Sequence, residues 1–384
     1  MSVSELSSVT AQADRLMAAG DFVGARRVLE KLVDGNPQDL DFWRRLATAR
    51  RASGEPARAL AAIDRALALS PLDFVGLLLR ASLLEATGQA EAGEAYGRAL
   101  AQLPAGGIAP QMAAAVERAR SAYAAHQSGL EQQLASALTA DHRRGPQGQA
   151  IDRFISNISR RTRLYHSEPT HFAYPGLREC EFHDRSAFPW LAQWEAAAEL
   201  IAAEFTALIA AESAQLVPYI QYAEHEPVAQ WRELNHSRDW TSIHLIQRGE
   251  ICEANARHCP QTMALLNSFP QPQIKGCGAN AMFSLLAPHT AIPPHTGVAN
   301  FRLVCHLPLI VPPGCSFRVG AQTREWQRGE AWVFDDTLEH EALNPTDELR
   351  VIMIIDCWHP DLSESERAAI TAVVGAVATT SGGL

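Results

Sequence analysis

Two histidines with an arginine behind them offer the clearest chemistry in this 384-residue chain. His295 closes the segment AIPPH and His340 lies in FDDTLEHEALN, each at the mouth of an apolar, strand-favouring run. They stand 45 positions apart, too far for one helix to present both. A jelly roll can do so, because its paired strands bring distant segments to one end of a sandwich. Imidazole ligates divalent iron, copper, zinc and nickel, so the pair reads as a candidate metal site. Arg350 opens the run RVIMIID ten residues after His340. A guanidinium that points into a barrel needs a partner there, since an unpaired buried charge is very costly. A ligand carboxylate would meet it as a bidentate fork. The three residues together suggest a metal site that also holds an organic acid.

The neighbouring groups fill in the picture. Arg302 alternates with Val304 and His306, which puts all three on one face of a regular strand. Arg302 is then a candidate for holding an acid, or one half of an internal ion pair. Asp335 and Asp336 stand close to His340 and read as turn and supporting groups that orient it or cap backbone N–H groups. Against the whole reading stands the commonness of histidine, with 14 in the chain. The carboxylate that often completes a His-x-Asp iron site is also missing, because Thr296 and Gly297 follow His295.

That gap fits a family. In order, the chain carries Pro294-His295-Thr296-Gly297, Asn300, Arg302-Leu303 and His306-Leu307. It then carries Phe334-Asp335-Asp336, Glu339-His340-Glu341, Asn344, Arg350 and Asp356-Cys357-Trp358-His359-Pro360. Over about residues 160–365 this pattern resembles the aspartyl/asparaginyl β-hydroxylases, which are iron(II)- and 2-oxoglutarate-dependent dioxygenases. Tyr174-Pro175-Gly176-Leu177, Trp231, Trp240, Cys259-Pro260 and Thr262 sit in similar surroundings. Members of the family carry glycine where the third ligand would be, so Gly297 agrees with them. The resemblance implies that His295 and His340 hold iron(II) and that Arg350 forks the distal carboxylate of 2-oxoglutarate. It also implies that Ser284 donates a hydrogen bond to that carboxylate and that His306 contacts the carboxylate nearer the metal. O₂ is the third reactant. Animal members hydroxylate the β-carbon of Asp or Asn in secretory-pathway proteins, and carry a basic residue where this chain has Val304. The expected substrate is a peptidyl Asp or Asn, or a small amino-acid-like molecule. Two rival readings remain: a non-catalytic tetratricopeptide scaffold bearing a metal-binding jelly roll, and a cupin-type metalloenzyme that does not use 2-oxoglutarate.

These side chains must be positioned by a fold, and the rest of the chain supplies one. With 47% hydrophobic and 20% charged residues it is ordinarily globular. Its net charge of −10 argues against non-specific binding to nucleic acid or to an anionic membrane. No run of 18 uncharged apolar residues predicts a membrane span, and the first residues lack the basic and apolar regions of a secretory signal. Seven scattered cysteines without a C-x-x-C pair read as reduced thiols. The expected location is the cytoplasm.

Residues 1–104 repeat. Gly20, Gly54 and Gly88 stand 34 apart, and Pro37, Pro71 and Pro104 close each unit. This is the period of a tetratricopeptide repeat, which the motifs resemble. Such solenoids offer a concave face to a protein partner, or simply prop up a neighbouring domain. A helical pattern over 110–138 caps the array. Residues 141–148 read as a linker, 149–163 as a helix ending in an arginine-rich run, and 187–209 as one amphipathic helix. Strands are predicted at 281–287, 300–311, 315–320, 324–327, 330–334 and 349–358. The predicted class is α+β and multidomain. An N-terminal α-solenoid with its capping helix spans 1–140. A double-stranded β-helix (jelly-roll, cupin-like) catalytic domain with flanking helices spans 150–384.

Overall fold

The computed structural model describes residues 3–143, 146–211, 214–223, 225 and 231–380. The chain forms two compact units, Met1–Thr162 and Arg163–Leu384.

The first unit is helical. Three antiparallel pairs follow one another: α1 (Val3–Ala18) with α2 (Phe22–Gly35), α3 (Leu40–Ala52) with α4 (Pro56–Leu69), and α5 (Phe74–Ala86) with α6 (Ala92–Leu100). Each turn inside a pair is made by one of the spaced glycines, at φ of +75°, +79° and +69° for Gly20, Gly54 and Gly88. That left-handed backbone ends a helix without the strain a Cβ would add. Asp21, Asp39 and Asp73 cap α2, α3 and α5 by accepting backbone N–H bonds, whereas Glu55 and Glu91 before α4 and α6 make no side-chain cap. Leu29, Ile63 and Tyr96 occupy equivalent buried positions, as do Leu32, Ala66 and Ala99. α7 (Ala113–Ser136) and α8 (Pro146–Ile158) complete the unit. The stretch expected as a linker contains one 3-10 turn, Ala140–Arg143; Arg144 and Gly145 lie outside the described residues. The last helix starts earlier than its periodicity predicts, at Pro146, where proline's missing N–H costs nothing.

The second unit is built on two antiparallel sheets. Its helices are α9 (Leu191–Ala196), α10 (Ala198–Ala210), α11 (Glu253–Ala256), α12 (Pro260–Leu266) and α13 (Glu364–Thr380). The single helix expected over 187–209 is broken at Ala197 (φ −91°, ψ 0°). The apolar spacing Leu191, Trp194, Ala198, Ile201, Phe205 runs through the break with every member buried, so the pattern hides it. Glu204 of α10 reaches across to cap α12, accepting from the N–H groups of Gln261 and Thr262 at 2.9 Å each.

The strands are β1 (Val217–Pro218), β2 (Trp240–Gln247), β3 (Glu250–Ile251), β4 (Ala281–Leu286), β5 (Thr290–His295), β6 (Arg302–Ile310), β7 (Ser316–Val319), β8 (Gln322–Glu325), β9 (Trp332–Phe334), β10 (His340–Asn344) and β11 (Arg350–Trp358). The larger sheet runs β1-β2-β4-β11-β6-β9, with β3 on β2, and the smaller runs β5-β10-β7-β8. Successive strands cross between sheets, so early and late segments become neighbours, as in a jelly roll. One face of the large sheet packs on α9, α10 and α12 through residues such as Phe283, Leu307 and Met353. Its other face meets the small sheet over Met282, Ile352, Phe317 and Ala342. β5 and β10 are absent from the predicted strands. Pro293 and Pro294 argue against a central strand, and β5 tolerates them because it lies on a sheet edge beside a register shift between His340 and Ala342. No helix among the described residues is long and apolar enough to cross a membrane.

Two glycine substitutions should separate conformation from packing, since neither added Cβ meets an atom within 4 Å. Gly54→Ala, at φ +79°, is expected to destabilise the helical unit by about 1 kcal/mol. Gly35→Ala, in the last turn of α2, is expected to stabilise it by about 0.5 kcal/mol. Urea unfolding followed by helical circular dichroism measures both, and equal effects would contradict the assignment.

Candidate functional site

Pairing of β5 with β10 sets His295 directly opposite His340. Their ring centroids lie 4.0 Å apart. Nδ1 of His295 is 2.8 Å from the Pro293 carbonyl oxygen, and Nδ1 of His340 is 3.0 Å from that of Leu338. A carbonyl only accepts, so each Nδ1 carries the proton and donates it. Both Nε2 lone pairs are left free, the arrangement a metal needs from histidine. Burial lowers His295 to about 3, helped by the neighbouring His340. Burial likewise takes His340 down to about 4, against the hydrogen bond to Leu338. Both rings are therefore neutral near pH 7. Trp231 meets His295 edge-on at 4.9 Å, and Phe334 lies 5.8 Å from His340. Among the described residues no third His, Cys, Asp or Glu joins them as a ligand group. The donor set fits a divalent metal that keeps several positions open.

Beside the pair lies a buried three-charge cluster. Arg302 Nη2 is 3.0 Å from Asp336 Oδ2 and its Nη1 is 3.4 Å from Asp356 Oδ1. Burial alone would lower the Arg302 guanidinium, but the two carboxylates outweigh it and hold it above its ordinary value. Burial raises both carboxyls, with Arg302 opposing. Asp356 Oδ2 also accepts from the backbone and side-chain N–H groups of Asn280, each at 2.8 Å. Asp336 Oδ1 is buried without a partner. Of the two roles the sequence leaves open for Arg302, the structure shows the internal ion pair. Asp335 caps Thr337, accepting from its N–H at 2.9 Å. The Asp336 carboxylate turns to Arg302, while the Leu338 carbonyl accepts from His340 Nδ1 and the Asp336 backbone also acts on that ring.

The same cluster explains Gly297. A Cβ there would stand 2.1 Å from Asp336 Oδ2, an impossible contact. A His-x-Asp carboxylate thus has no room unless Asp336 moves. The Gly297 N–H donates to the Asp336 carbonyl at 2.7 Å, which fixes the approach.

At the other end of the cavity stands Arg350, 1% exposed. Its Nη1 reaches the Ser284 carbonyl at 3.3 Å and the Ser284 hydroxyl at 3.4 Å, and its Cζ lies 4.9 Å above the Trp326 ring. No carboxylate among the described residues pairs with it, and its Nε has no partner. Burial lowers it to about 10. Nδ1 of His306 and Nε1 of Trp326 are also buried and unpartnered. Burial, then the charge of Arg350, holds His306 well below its ordinary value. Trp240 donates to Ser284 Oγ at 3.2 Å and stacks on Tyr219 at 3.8 Å. A cavity of about 370 Å³ joins the arginine end, the histidine pair and the charge cluster. Trp326 and Tyr219 carry no signal of this role in the sequence. An aromatic beside a buried cation is a usable signal only once strand pairing is known.

Comparison with known proteins follows the same residues. The family model described as aspartyl/asparaginyl β-hydroxylase matches residues 195–360, and a tetratricopeptide-repeat model matches 16–83. Human aspartyl/asparaginyl β-hydroxylase is 36% identical over 142 residues, which is 36% of this chain and 18% of that protein. Human aspartate β-hydroxylase domain-containing protein 2 is 36% identical over 137 residues, 35% of this chain and 37% of that protein. The ornithine lipid ester-linked acyl 2-hydroxylase of Rhizobium tropici is 31% identical over 214 residues, 55% of this chain and 70% of that protein. The alignments to the two human proteins therefore span well under half of either one.

Two outcomes test the site's construction. Gly297→Ala is expected to destabilise the folded chain by about 1–3 kcal/mol, by forcing Asp336 off Arg302; an unchanged thermal midpoint would refute the close approach. The histidine pair also predicts a pH dependence. Both rings titrate near 6.5 when unfolded and at about 3 and about 4 when folded, so the unfolded chain binds more protons at intermediate pH. Stability is full above about pH 6.5 and falls as pH drops from there towards 3 to 4, by up to about 1.4 kcal/mol per pH unit per ring. In the metal-free protein, His295→Asn with His340→Asn should lessen the slope measured by urea unfolding between pH 7 and 5, the other buried histidines keeping the remainder.

Proposed function

The chain belongs to the aspartyl/asparaginyl β-hydroxylase family, and on that premise we propose that it is an iron(II)- and 2-oxoglutarate-dependent dioxygenase that hydroxylates an unactivated carbon. The proposed target is the β-carbon of an Asp or Asn residue in a protein or peptide, or the matching carbon of a small amino-acid-like molecule. The observation that carries this reading is Arg350. A guanidinium 1% exposed, resting on an indole and facing no carboxylate, is a binding site for an anion from outside the chain.

Each residue has a task in this reading. Arg350 forks the distal carboxylate of 2-oxoglutarate. Ser284 Oγ receives the Trp240 indole N–H, which leaves its own proton to donate to that carboxylate. His306, kept neutral by burial, offers its unpartnered nitrogen to the carboxylate nearer the metal. His295 and His340 would hold iron(II) through Nε2. Bound there, the metal supplies the activation of O₂, with 2-oxoglutarate giving succinate and CO₂ while the substrate C–H becomes C–OH. The aromatic wall of Trp231, Trp240, Phe317 and Phe334 excludes water from the reacting carbon. The tetratricopeptide unit favours a protein or peptide target, since such arrays present an extended concave face to partners. The cupin reading without 2-oxoglutarate leaves Arg350 unpaired, and the scaffold reading leaves unused the two free Nε2 lone pairs.

Anaerobic titration of the iron(II)-loaded protein with 2-oxoglutarate tests the proposal through the visible charge-transfer band of the chelate. The wild type should show the band and His295→Ala should lose it. Arg350→Met should weaken 2-oxoglutarate binding by on the order of 100-fold, the loss of one buried charge-assisted pair. The same variant should melt no lower than the wild type without ligand, because it removes an uncompensated charge. Bound iron with no band at any 2-oxoglutarate concentration would sink the reading.

A further inference from the structure

The cavity reaches past the histidine pair to the Arg302 cluster, at the end away from Arg350. We infer that the substrate group received there is an N–H donor without negative charge, a primary carboxamide in preference to a carboxylate. The inference rests on the dioxygenase reading and narrows its substrate.

The charge inventory carries it. The cavity is lined by two arginines and two aspartates among the described residues. Arg350 stands at the far end with Ser284 and Trp326. Arg302 is already held by Asp336 and Asp356, so this end carries one positive and two negative charges, a sum of −1. Both oxygens of Asp356 are engaged, one by Arg302 and one by Asn280. Asp336 differs: Oδ2 takes Arg302, while Oδ1 is buried with no donor. Asp336 is 7% exposed and lines the cavity. An unsatisfied buried acceptor asks for a donor. A carboxamide N–H supplies one, whereas a second carboxylate would face like charge in a dry setting. Among the described residues no other arginine or lysine lines this end. The residue paired across from Asp356 on β6 is Val304, an apolar side chain that cannot accept or donate. A carboxamide thus gains a bond where a carboxylate meets repulsion.

The test uses two blocked pentapeptides, N-acetylated and C-amidated, identical except for a central Asn or Asp. Under anaerobic conditions with iron(II) and 2-oxoglutarate bound, each is titrated while the chelate band is followed. With O₂, succinate and the hydroxylated peptide are quantified. The Asn peptide should perturb the band at a concentration at least tenfold lower than the Asp peptide, and show at least tenfold higher kcat/KM. Val304→Arg places a guanidinium opposite Asp356 and should bring the ratio to one or reverse it. Val304→Leu, a neutral control for packing, should keep the wild-type preference. Asp336→Asn should reduce the discrimination to within about twofold, which a purely structural role would not do. Absence of the chelate band itself defeats the dioxygenase reading, and this inference with it. An intact band with the Asp peptide bound equally or better, or with neither peptide bound, overturns this inference alone.

Discussion

The pairing of β5 with β10 is the constraint on which the site depends. One register brings His295 opposite His340, sets the Gly297 backbone against Asp336, and turns Asp336 towards Arg302. A slip of one residue would send every side chain of the strand to the other face. Pro293 and Pro294 sit where the ladder shifts, so the bulge aims His295 and lets the Pro293 carbonyl take its Nδ1 proton. Backbone carbonyls orient both imidazoles, a rigid support that keeps both Nε2 lone pairs available.

Around that pair the cavity is polarised by what it lacks. One end holds a cation with no anion, the other a carboxylate oxygen with no donor. Both are costly to the fold, since burying unpaired polar groups opposes stability. The large sheet tolerates them because its opposite face is sealed by α9, α10 and α12 over a continuous apolar core.

The helical unit obeys a simpler economy. Its repeats pack through alanines and branched aliphatics, with a left-handed glycine at the turn inside each pair and aspartate caps on α2, α3 and α5. Each pair covers the next, so the array is stable as a series and not as single units.

By itself the sequence determined the tetratricopeptide period, the strand-rich second half, and the set of residues worth watching. These are local or ordered patterns: a glycine every 34 residues, or a histidine followed by glycine where a carboxylate is usual. The break at Ala197 escaped because apolar spacing continues through it, and β5 and β10 escaped because prolines and charges mask short strands. Tertiary structure alone decided that Arg302 is consumed by Asp336 and Asp356, that no described carboxylate pairs with Arg350, and that Gly297 is required by a carboxylate 39 positions away. Such facts depend on which side chains a sheet crossing brings within a few ångströms. No spacing along the chain encodes that distance directly.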